Sequence, residues 1–252
     1  MHQQHSALPT NFTPGDSMIC SSHARTARLT LASKQNILCN KLLMDLLQNI
    51  LYINLEKRKD KKDFTEKELK KINRTAIRIN AVDHTNLIDK RDRVLGCTYS
   101  HIKALEYAIE NHYPNVLILE DDSEFITDKV ELDIPEDTIM VYLSWKIFNK
   151  TDTTLVNGLN KVSNVVLTNA YFLPTRAAIL TVYNEIVLSE KKYPIDLMYK
   201  NLIQKKMPCY AVYPPPVLQS VKFTSDLCGK INTKVKWVKR DENNFREHYK
   251  KN

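Results

Sequence analysis

The chain has 252 residues, of which 43% are hydrophobic and 26% are charged, and its formal net charge is +8. This length and composition are typical of a soluble globular protein with one large α/β domain plus tails. The four glycines form neither G-x-G-x-x-G nor G-x-x-x-x-G-K-[ST], which excludes a glycine-rich phosphate loop.

Positive charge is concentrated in residues 57–71 and 230–252. Such patches can attract nucleic acid or another polyanion. The first stretch has the pattern of a solvated helix and lacks the interleaved aromatic residues of a single-strand binding surface. We therefore expect no specific nucleic-acid partner, and a basic nucleic-acid-binding protein stays an alternative.

The five cysteines are scattered, with neither a C-x-x-C pair nor zinc-site spacing. They are predicted to be reduced thiols, with Cys97 and Cys209 packed as small apolar groups. No apolar run reaches the roughly 20 residues of a membrane span, and no hydrophobic signal-peptide core is found near the amino terminus. These observations favour a cytoplasmic location without a transmembrane segment.

Three regions are expected along the chain. Residues 1–48 are polar and lack sustained hydrophobic periodicity, which predicts a disordered or loosely packed extension. Residues 49–230 are predicted to form the folded domain, and residues 231–252 a basic tail.

Strand and helix patterns alternate within the domain. In chain order they predict a strand at 50–54, a helix at 58–72, a strand at 76–79, a loop at 81–93, a helix at 97–111, strands at 116–119, 139–143 and 165–172, a helix from 174 to 188, a short helix at 195–205 and a strand at 209–212. This alternation indicates an α/β fold with a doubly wound, mostly parallel sheet.

The acidic triplet Glu120-Asp121-Asp122 follows the apolar run at 116–119, which has the composition of a fully buried strand. Three adjacent carboxylates repel one another and cannot all be buried as bare charges. A divalent cation would stabilise them, and carboxylate oxygens suit Mg²⁺ or Mn²⁺. Ligands also bind at this end of the strands in open α/β sheets. A solvated acidic loop is the alternative interpretation.

The segment Gly96-Cys97-Thr98-Tyr99-Ser100-His101, followed by the acidic triplet, resembles glycosyltransferase family 25. That family contains bacterial lipopolysaccharide sugar transferases and animal procollagen galactosyltransferases. The similarity extends over roughly residues 50–228, in the order expected for the family. Its further matches are Tyr52-Ile53-Asn54-Leu55 with Arg58, Ala81-Val82-Asp83, Ala170-Tyr171, Pro194-Ile195-Asp196, Tyr213-Pro214-Pro215, Gln219 and Ser225-Asp226.

The resemblance implies a single GT-A domain, with a Rossmann-like nucleotide-binding half and an acceptor-binding half. It implies an inverting, metal-dependent hexosyltransferase that moves galactose or glucose from a UDP-sugar to a hydroxyl of a glycan or protein. Lipopolysaccharide sugars, protein-bound hydroxylysine and a viral or cell-surface glycan are all compatible acceptors, and Mn²⁺ or Mg²⁺ is the implied cofactor. A metal-dependent phosphodiesterase built on the acidic triplet is a further alternative.

The same resemblance assigns roles to individual residues. Asp122 is the implied metal ligand, and Asp121 is either structural or a second ligand. Asp196 is the first candidate for the general base, and Asp226 is the second candidate or helps to close the metal site. The residues expected to contact the donor are Asn54, Arg58, Lys61, Asp83, Ser100, His101 and Glu120.

The chain departs from the family pattern at two of these places. Lys61 stands where the family often has arginine, which removes the bidentate geometry toward a phosphate. His84 stands where the family usually has glycine, so the backbone of that loop is expected to differ.

Overall fold

A computed structural model of the chain describes residues 41–42, 47–84, 90–127, 129–147, 155–190 and 192–226, all within one compact unit. The strands are Lys41–Leu42 (β1), Ile50–Asn54 (β2), Ile77–Asn80 (β3), Val116–Glu120 (β4), Ser123–Phe125 (β5), Glu131–Leu132 (β6), Met140–Tyr142 (β7), Lys146–Ile147 (β8), Gly158–Lys161 (β9), Val165–Val166 (β10), Ala170–Leu173 (β11), Cys209–Tyr213 (β12) and Val217–Gln219 (β13). The helices are Lys59–Lys71 (α1), Lys90–Glu110 (α2), Arg176–Val187 (α3) and Ile195–Met198 (α4), the last continuing as a π-helical turn, Tyr199–Gln204.

The central sheet has seven strands in the order β3-β2-β4-β11-β7-β12-β9. Strands β3, β2 and β4 are parallel, and β7 and β12 are parallel to each other. Strand β11 is antiparallel to both of its neighbours, and β9 is antiparallel to β12. Most strands therefore run in one direction. The predicted α/β class with a mostly parallel sheet is confirmed, and the arrangement is consistent with a GT-A-like domain.

Helices cover both faces of the sheet. Successive residues of β2 alternate between two cores, because neighbouring strand residues point to opposite faces. Leu51 and Ile53 join the core that includes the buried faces of α2 and α3. Ile50 and Tyr52 join the core on the opposite face, which includes the end of α1 around Leu69. This burial on both faces explains the continuous apolar runs of β2 and β4.

The sequence-based boundaries need three corrections. The loop predicted at 81–93 is irregular at 81–84, but residues 90–93 already belong to α2. The strand predicted at 165–172 is divided into β10 and β11, and Leu167 between them has a φ of 89°. Strand β9 of the central sheet and the short strands β1, β5, β6, β8 and β13 were not predicted, and β5 and β13 pair with each other.

The two predicted tails lie largely outside the described residues. Residues 1–40 of the expected extension and all of the basic tail at 231–252 are outside them. Among the helices that the structure describes, none combines the length and the apolar character needed to cross a membrane.

Candidate functional site

A cavity opens where the sheet changes its winding direction. After β2 the chain forms β3 on one side of it, and then crosses to form β4 on the other side. Asn54 ends β2 and Glu120 ends β4, and Ile53 lies opposite Glu120 in the register. Such a switch point at the carboxyl ends of parallel strands is where ligands bind in open α/β sheets.

Charged and polar side chains from distant parts of the chain line this cavity. They are contributed by α1, α2, the turn after β4, the end of β13 and the segment that follows it. Those that determine its chemistry are Lys61, His101, Glu120, Asp122, Gln219 and Asp226.

Asp121 is held by its neighbours on both carboxylate oxygens. Lys61 Nζ donates to Oδ1 at 2.9 Å, and Asn54 Nδ2 donates to Oδ2 at 2.8 Å. The Thr65 hydroxyl donates to the main-chain oxygen of Asp121 at 3.1 Å. These contacts fix the turn after β4, and a metal ion would have to compete with a lysine and an asparagine for the oxygens of Asp121.

Asp122 has one carboxylate oxygen that lacks a partner. Its Oδ2 accepts a hydrogen bond from Gln219 Nε2 at 3.3 Å and lies 3.7 Å from Lys61 Nζ. Among the described residues none donates to Oδ1, although that atom is buried. Burial raises the pKa of Asp122 to about 7, and the charges of Glu120 and Asp121 act in the same direction while Lys61 opposes them. Burial makes the negative charge of this carboxylate unfavourable, and a bound cation would stabilise the charged form.

Lys61 is the positive centre of the cavity. Besides Asp121 and Asp122, its ammonium group contacts Asp226 Oδ2 at 2.9 Å. Burial alone would lower the pKa of Lys61, but the three carboxylates together raise it above the usual value. Arg58 also donates to Asp226 and forms a second ion pair with Asp60 at 2.8 Å. Two cations therefore hold Asp226 at the edge of the cavity.

Glu120 joins the acidic turn to helix α2. Its Oε1 accepts a hydrogen bond from the Thr168 hydroxyl at 2.8 Å and lies 3.4 Å from His101 Nε2. Burial would raise the pKa of Glu120, but His101 and Thr168 outweigh burial and lower it. On its other side the His101 ring contacts the Tyr171 hydroxyl through Nδ1 at 3.0 Å. The imidazole is completely buried and stacks on the Tyr171 ring.

The motif from Gly96 to His101 has a clear local role. A Cβ atom at Gly96 would lie 3.0 Å from both His84 Cβ and Val82 O, so the absence of a side chain lets the loop after β3 pack on helix α2. The Ser100 hydroxyl accepts from Val82 N–H at 2.9 Å and donates to Gly96 O at 2.6 Å. Gly96 and Ser100 thus hold the loop after β3 against helix α2, while Cys97 and His101 line the cavity.

The predicted site residues divide into two groups. The first group lines the cavity and consists of Lys61, Ser100, His101, Asp226 and the acidic triplet. Val82 and His84, which flank Asp83, also line it. Asn54, Arg58, Asp83 and Asp196 do not line it. Asn54 and Arg58 act on it through Asp121 and Asp226, and Asp83 forms a surface ion pair with Lys57 at 2.8 Å.

Asp196 lies in the first turn of α4, where its Oδ1 accepts from the backbone N–H of Leu197 at 2.8 Å. Burial raises its pKa, and the charge of Glu120 adds to this effect. A raised pKa is a property that a general base requires, although Asp196 itself does not line the cavity.

Three residues contribute to the cavity in ways that the sequence patterns did not predict. Cys97 is a free thiol, as predicted, but it lines the cavity instead of packing only as an apolar group. Gln219 contacts Asp122, and Thr168 contacts Glu120. The matches to the family pattern include Cys97 and Gln219 and could have indicated these two residues. They do not include Thr168.

Of the three carboxylates in the acidic triplet, Asp122 is the one suited to bind a divalent cation. A cation needs an oxygen ligand without a competing hydrogen bond and local negative charge, and the partnerless Asp122 Oδ1 beside Glu120 provides both. Asp121 is already paired with the Lys61 ammonium and hydrogen-bonded to Asn54. Asp122 is therefore the carboxylate that could hold Mn²⁺ or Mg²⁺, with the remaining coordination positions left to ligand oxygens or water.

Comparison with known proteins finds weak structural similarity to two solved structures. No protein-family model and no curated protein matches the chain. A nucleoside-diphosphate-sugar pyrophosphorylase from Vibrio cholerae RC9 is 15% identical, with a TM-score of 0.37 over 66% of this chain and 72% of that one. A glycosyltransferase involved in the glycosylation of the major capsid of PBCV-1 is 12% identical, with a TM-score of 0.43 over 79% of this chain and 98% of that one.

Proposed function

We propose that this protein is a metal-dependent, inverting glycosyltransferase that moves a hexose from a UDP-sugar to a hydroxyl group of a glycan or protein. The observation that carries the proposal is the partnerless, buried Asp122 Oδ1 at the switch point of the sheet, next to Lys61. This arrangement offers a cation position and a positive side chain in one cavity. A nucleoside diphosphate needs both, because its charge must be neutralised when it leaves.

The chain has no glycine-rich loop that could bind phosphates through backbone N–H groups. Side chains must therefore perform that task. Lys61 lines the cavity, and Arg58 reaches its edge through Asp226. A diphosphate entering the cavity would compete with Asp226 for both cations, and it would gain charge-assisted hydrogen bonds in exchange.

A divalent cation held by Asp122 would act as a Lewis acid that neutralises charge on the leaving diphosphate. The remaining groups orient and bind. Gln219 holds the Asp122 carboxylate in place by its hydrogen bond. Glu120, fixed by Thr168 and His101, is the proposed contact to the ribose of the donor.

The acceptor hydroxyl must lose a proton as the new glycosidic bond forms. Asp196 is the proposed base because burial raises its pKa and because, of its two carboxylate oxygens, only Oδ1 is engaged by a described residue. Both oxygens of Asp226 are held by Arg58 and Lys61, so Asp226 is the second choice for this role. Galactose or glucose as the donor sugar, and inversion at the anomeric carbon, follow from the family resemblance.

The decisive experiment measures acceptor-dependent release of UDP. The protein is incubated with Mn²⁺, UDP-galactose or UDP-glucose, and either a lipopolysaccharide oligosaccharide or a hydroxylysine peptide, and the product is identified by mass spectrometry. A product one hexose heavier, absent with Asp122→Asn, is the expected result. Release of UMP without an acceptor would instead indicate a phosphodiesterase, and the absence of any sugar-nucleotide turnover would refute the proposal.

A further inference from the structure

A second group of potential metal ligands lies in the same cavity, and the acidic triplet contributes only one of its members. Cys97 Sγ, a ring nitrogen of His101 and a carboxylate oxygen of Glu120 all lie within 4.8 Å of one another. Cys97 and His101 are four residues apart on helix α2, so they occupy one face of it. Glu120 approaches them from the end of β4.

The distance between two of these atoms already matches a metal site. In a tetrahedral zinc site with Zn–N and Zn–O bonds of about 2.0–2.2 Å, the nitrogen and oxygen ligands are roughly 3.4 Å apart. His101 Nε2 lies 3.4 Å from Glu120 Oε1. Cys97 Sγ lies within 4.8 Å of the other two ligand atoms. Since zinc–sulfur bonds are about 2.3 Å, a movement of Cys97 Sγ by at most roughly 1 Å would bring it to ligand distance.

The His101 nitrogen that points to this group makes no hydrogen bond of standard geometry among the described residues, its polar contact being Glu120 Oε1 at 3.4 Å, although the side chain is completely buried. Leaving a buried ring nitrogen unsatisfied is unfavourable, and a metal ion would satisfy it. The opposite nitrogen, Nδ1, contacts the Tyr171 hydroxyl, which in turn contacts the Tyr199 hydroxyl at 2.7 Å. Metal-binding histidines are commonly oriented by such an outer hydrogen bond at their second nitrogen.

We infer that Cys97, His101 and Glu120 form a binding site for a thiophilic divalent ion of the Zn²⁺ type, distinct from the hard-cation position at Asp122. Sulfur and imidazole ligands favour Zn²⁺ or Co²⁺ over Mg²⁺ and Mn²⁺. Three protein ligands leave a fourth tetrahedral position that faces the cavity, as in zinc sites that bind water or a ligand. On binding, the sulfur–hydrogen bond of Cys97 is replaced by a sulfur–metal bond, and the proton is released to solvent.

This inference does not depend on glycosyl transfer, because metal binding itself can be measured. The metal-free full-length protein is titrated with Co²⁺, and the thiolate-to-cobalt charge-transfer absorption is recorded. One equivalent of Co²⁺ is expected to produce this band, and Zn²⁺ is expected to remove it by displacement. Proton release is checked by calorimetry in buffers that have different ionisation enthalpies.

Variants then assign the ligands. Cys97→Ser replaces sulfur by oxygen at nearly constant shape, and it is expected to abolish the thiolate band and to weaken Co²⁺ binding at least about tenfold. Two control variants are expected to retain the band. Cys209→Ser changes a buried thiol in the sheet core, and Asp122→Asn changes the proposed Mn²⁺ or Mg²⁺ ligand. Circular dichroism confirms that each variant is folded.

Two outcomes would overturn the inference. One is the absence of a thiolate band in the parent protein. The other is a band of unchanged strength and affinity in folded Cys97→Ser, which would assign the ion to a different cysteine. Loss of the band in His101→Gln and Glu120→Gln would support the assignment of all three ligands.

Discussion

Lys61 Nζ donates to Asp121 Oδ1 at 2.9 Å, and the two side chains are only 5% and 10% exposed. The pair joins helix α1 to the turn after β4. Removing one member of a buried ion pair leaves the other charge uncompensated, which is far less favourable than losing a surface pair. The electrostatic balance of the cavity therefore depends on this lysine before any ligand binds.

The first prediction concerns this pair. Lys61→Met keeps most of the side-chain volume but removes the charge, and it is expected to lower the free energy of unfolding by about 3–5 kcal/mol. Urea denaturation measures the change. Lys62→Met is the matched control, because Lys62 is 44% exposed and contacts Glu66 only at 3.8 Å. The control is expected to change stability by less than about 1 kcal/mol. Similar small losses in both variants would contradict the structural role of Lys61.

The second prediction concerns ligand-linked stability. Mn²⁺ and UDP together are expected to stabilise the parent protein more than either ligand alone, because each completes the coordination of the other at Asp122. At about one hundred times the dissociation constant, linkage contributes roughly 2.7 kcal/mol. Thermal unfolding with each ligand and with both measures this effect.

Asp122→Asn is expected to abolish the joint stabilisation without unfolding the metal-free protein, since no described residue donates to the Oδ1 atom that is changed. Asp63→Asn, at an exposed carboxylate of helix α1, is the control and should respond to the ligands as the parent does. A full joint shift in Asp122→Asn would show that the cation is held elsewhere.

The third prediction concerns whether Gly96→Ala raises or lowers the free energy of unfolding. Alanine normally stabilises a helix relative to glycine by up to about 1 kcal/mol. At Gly96 the new methyl group would meet Val82 O and His84 Cβ at 3.0 Å, so Gly96→Ala is expected to destabilise the protein by about 1–3 kcal/mol. Chemical denaturation decides between the two signs. A stabilised variant would show that the loop moves away from the helix at little cost.

The sheet strands that contact ligands could be predicted because their signals are local. The buried strand at 116–119 has four adjacent apolar residues, and the acidic triplet follows without interruption. The start of helix α2 could not be predicted as easily, because Lys90-Arg91-Asp92-Arg93 has no apolar face. Strands β5 and β13 have only three residues each, and they form by pairing across a long stretch of chain.

The electrostatics of the cavity were even less accessible from the sequence. Lys61 lies in a run of charged residues with the pattern of a solvated helix, yet its side chain is 5% exposed. Its partners Asp121 and Asp226 are 60 and 165 positions away along the chain. Only the folded sheet brings them together, so local patterns could give the residue types of the site but not their pairing.

The last prediction concerns the proposed general base. Asp196→Asn keeps the side-chain volume and can still accept the hydrogen bond from Leu197 N–H, so the first turn of α4 should persist. The amide cannot take a proton from the acceptor, and transfer is expected to be at least about one hundred times slower. Binding of UDP-sugar with Mn²⁺, measured by calorimetry, should equal that of the parent, because Asp196 does not line the cavity.

Asp226→Asn provides the contrast, because it removes a charge held by Arg58 and Lys61 and should alter donor affinity. Unchanged turnover in Asp196→Asn would reduce Asp196 to a helix-capping residue and leave Asp226 as the candidate. Loss of donor affinity would place Asp196 in the donor site instead.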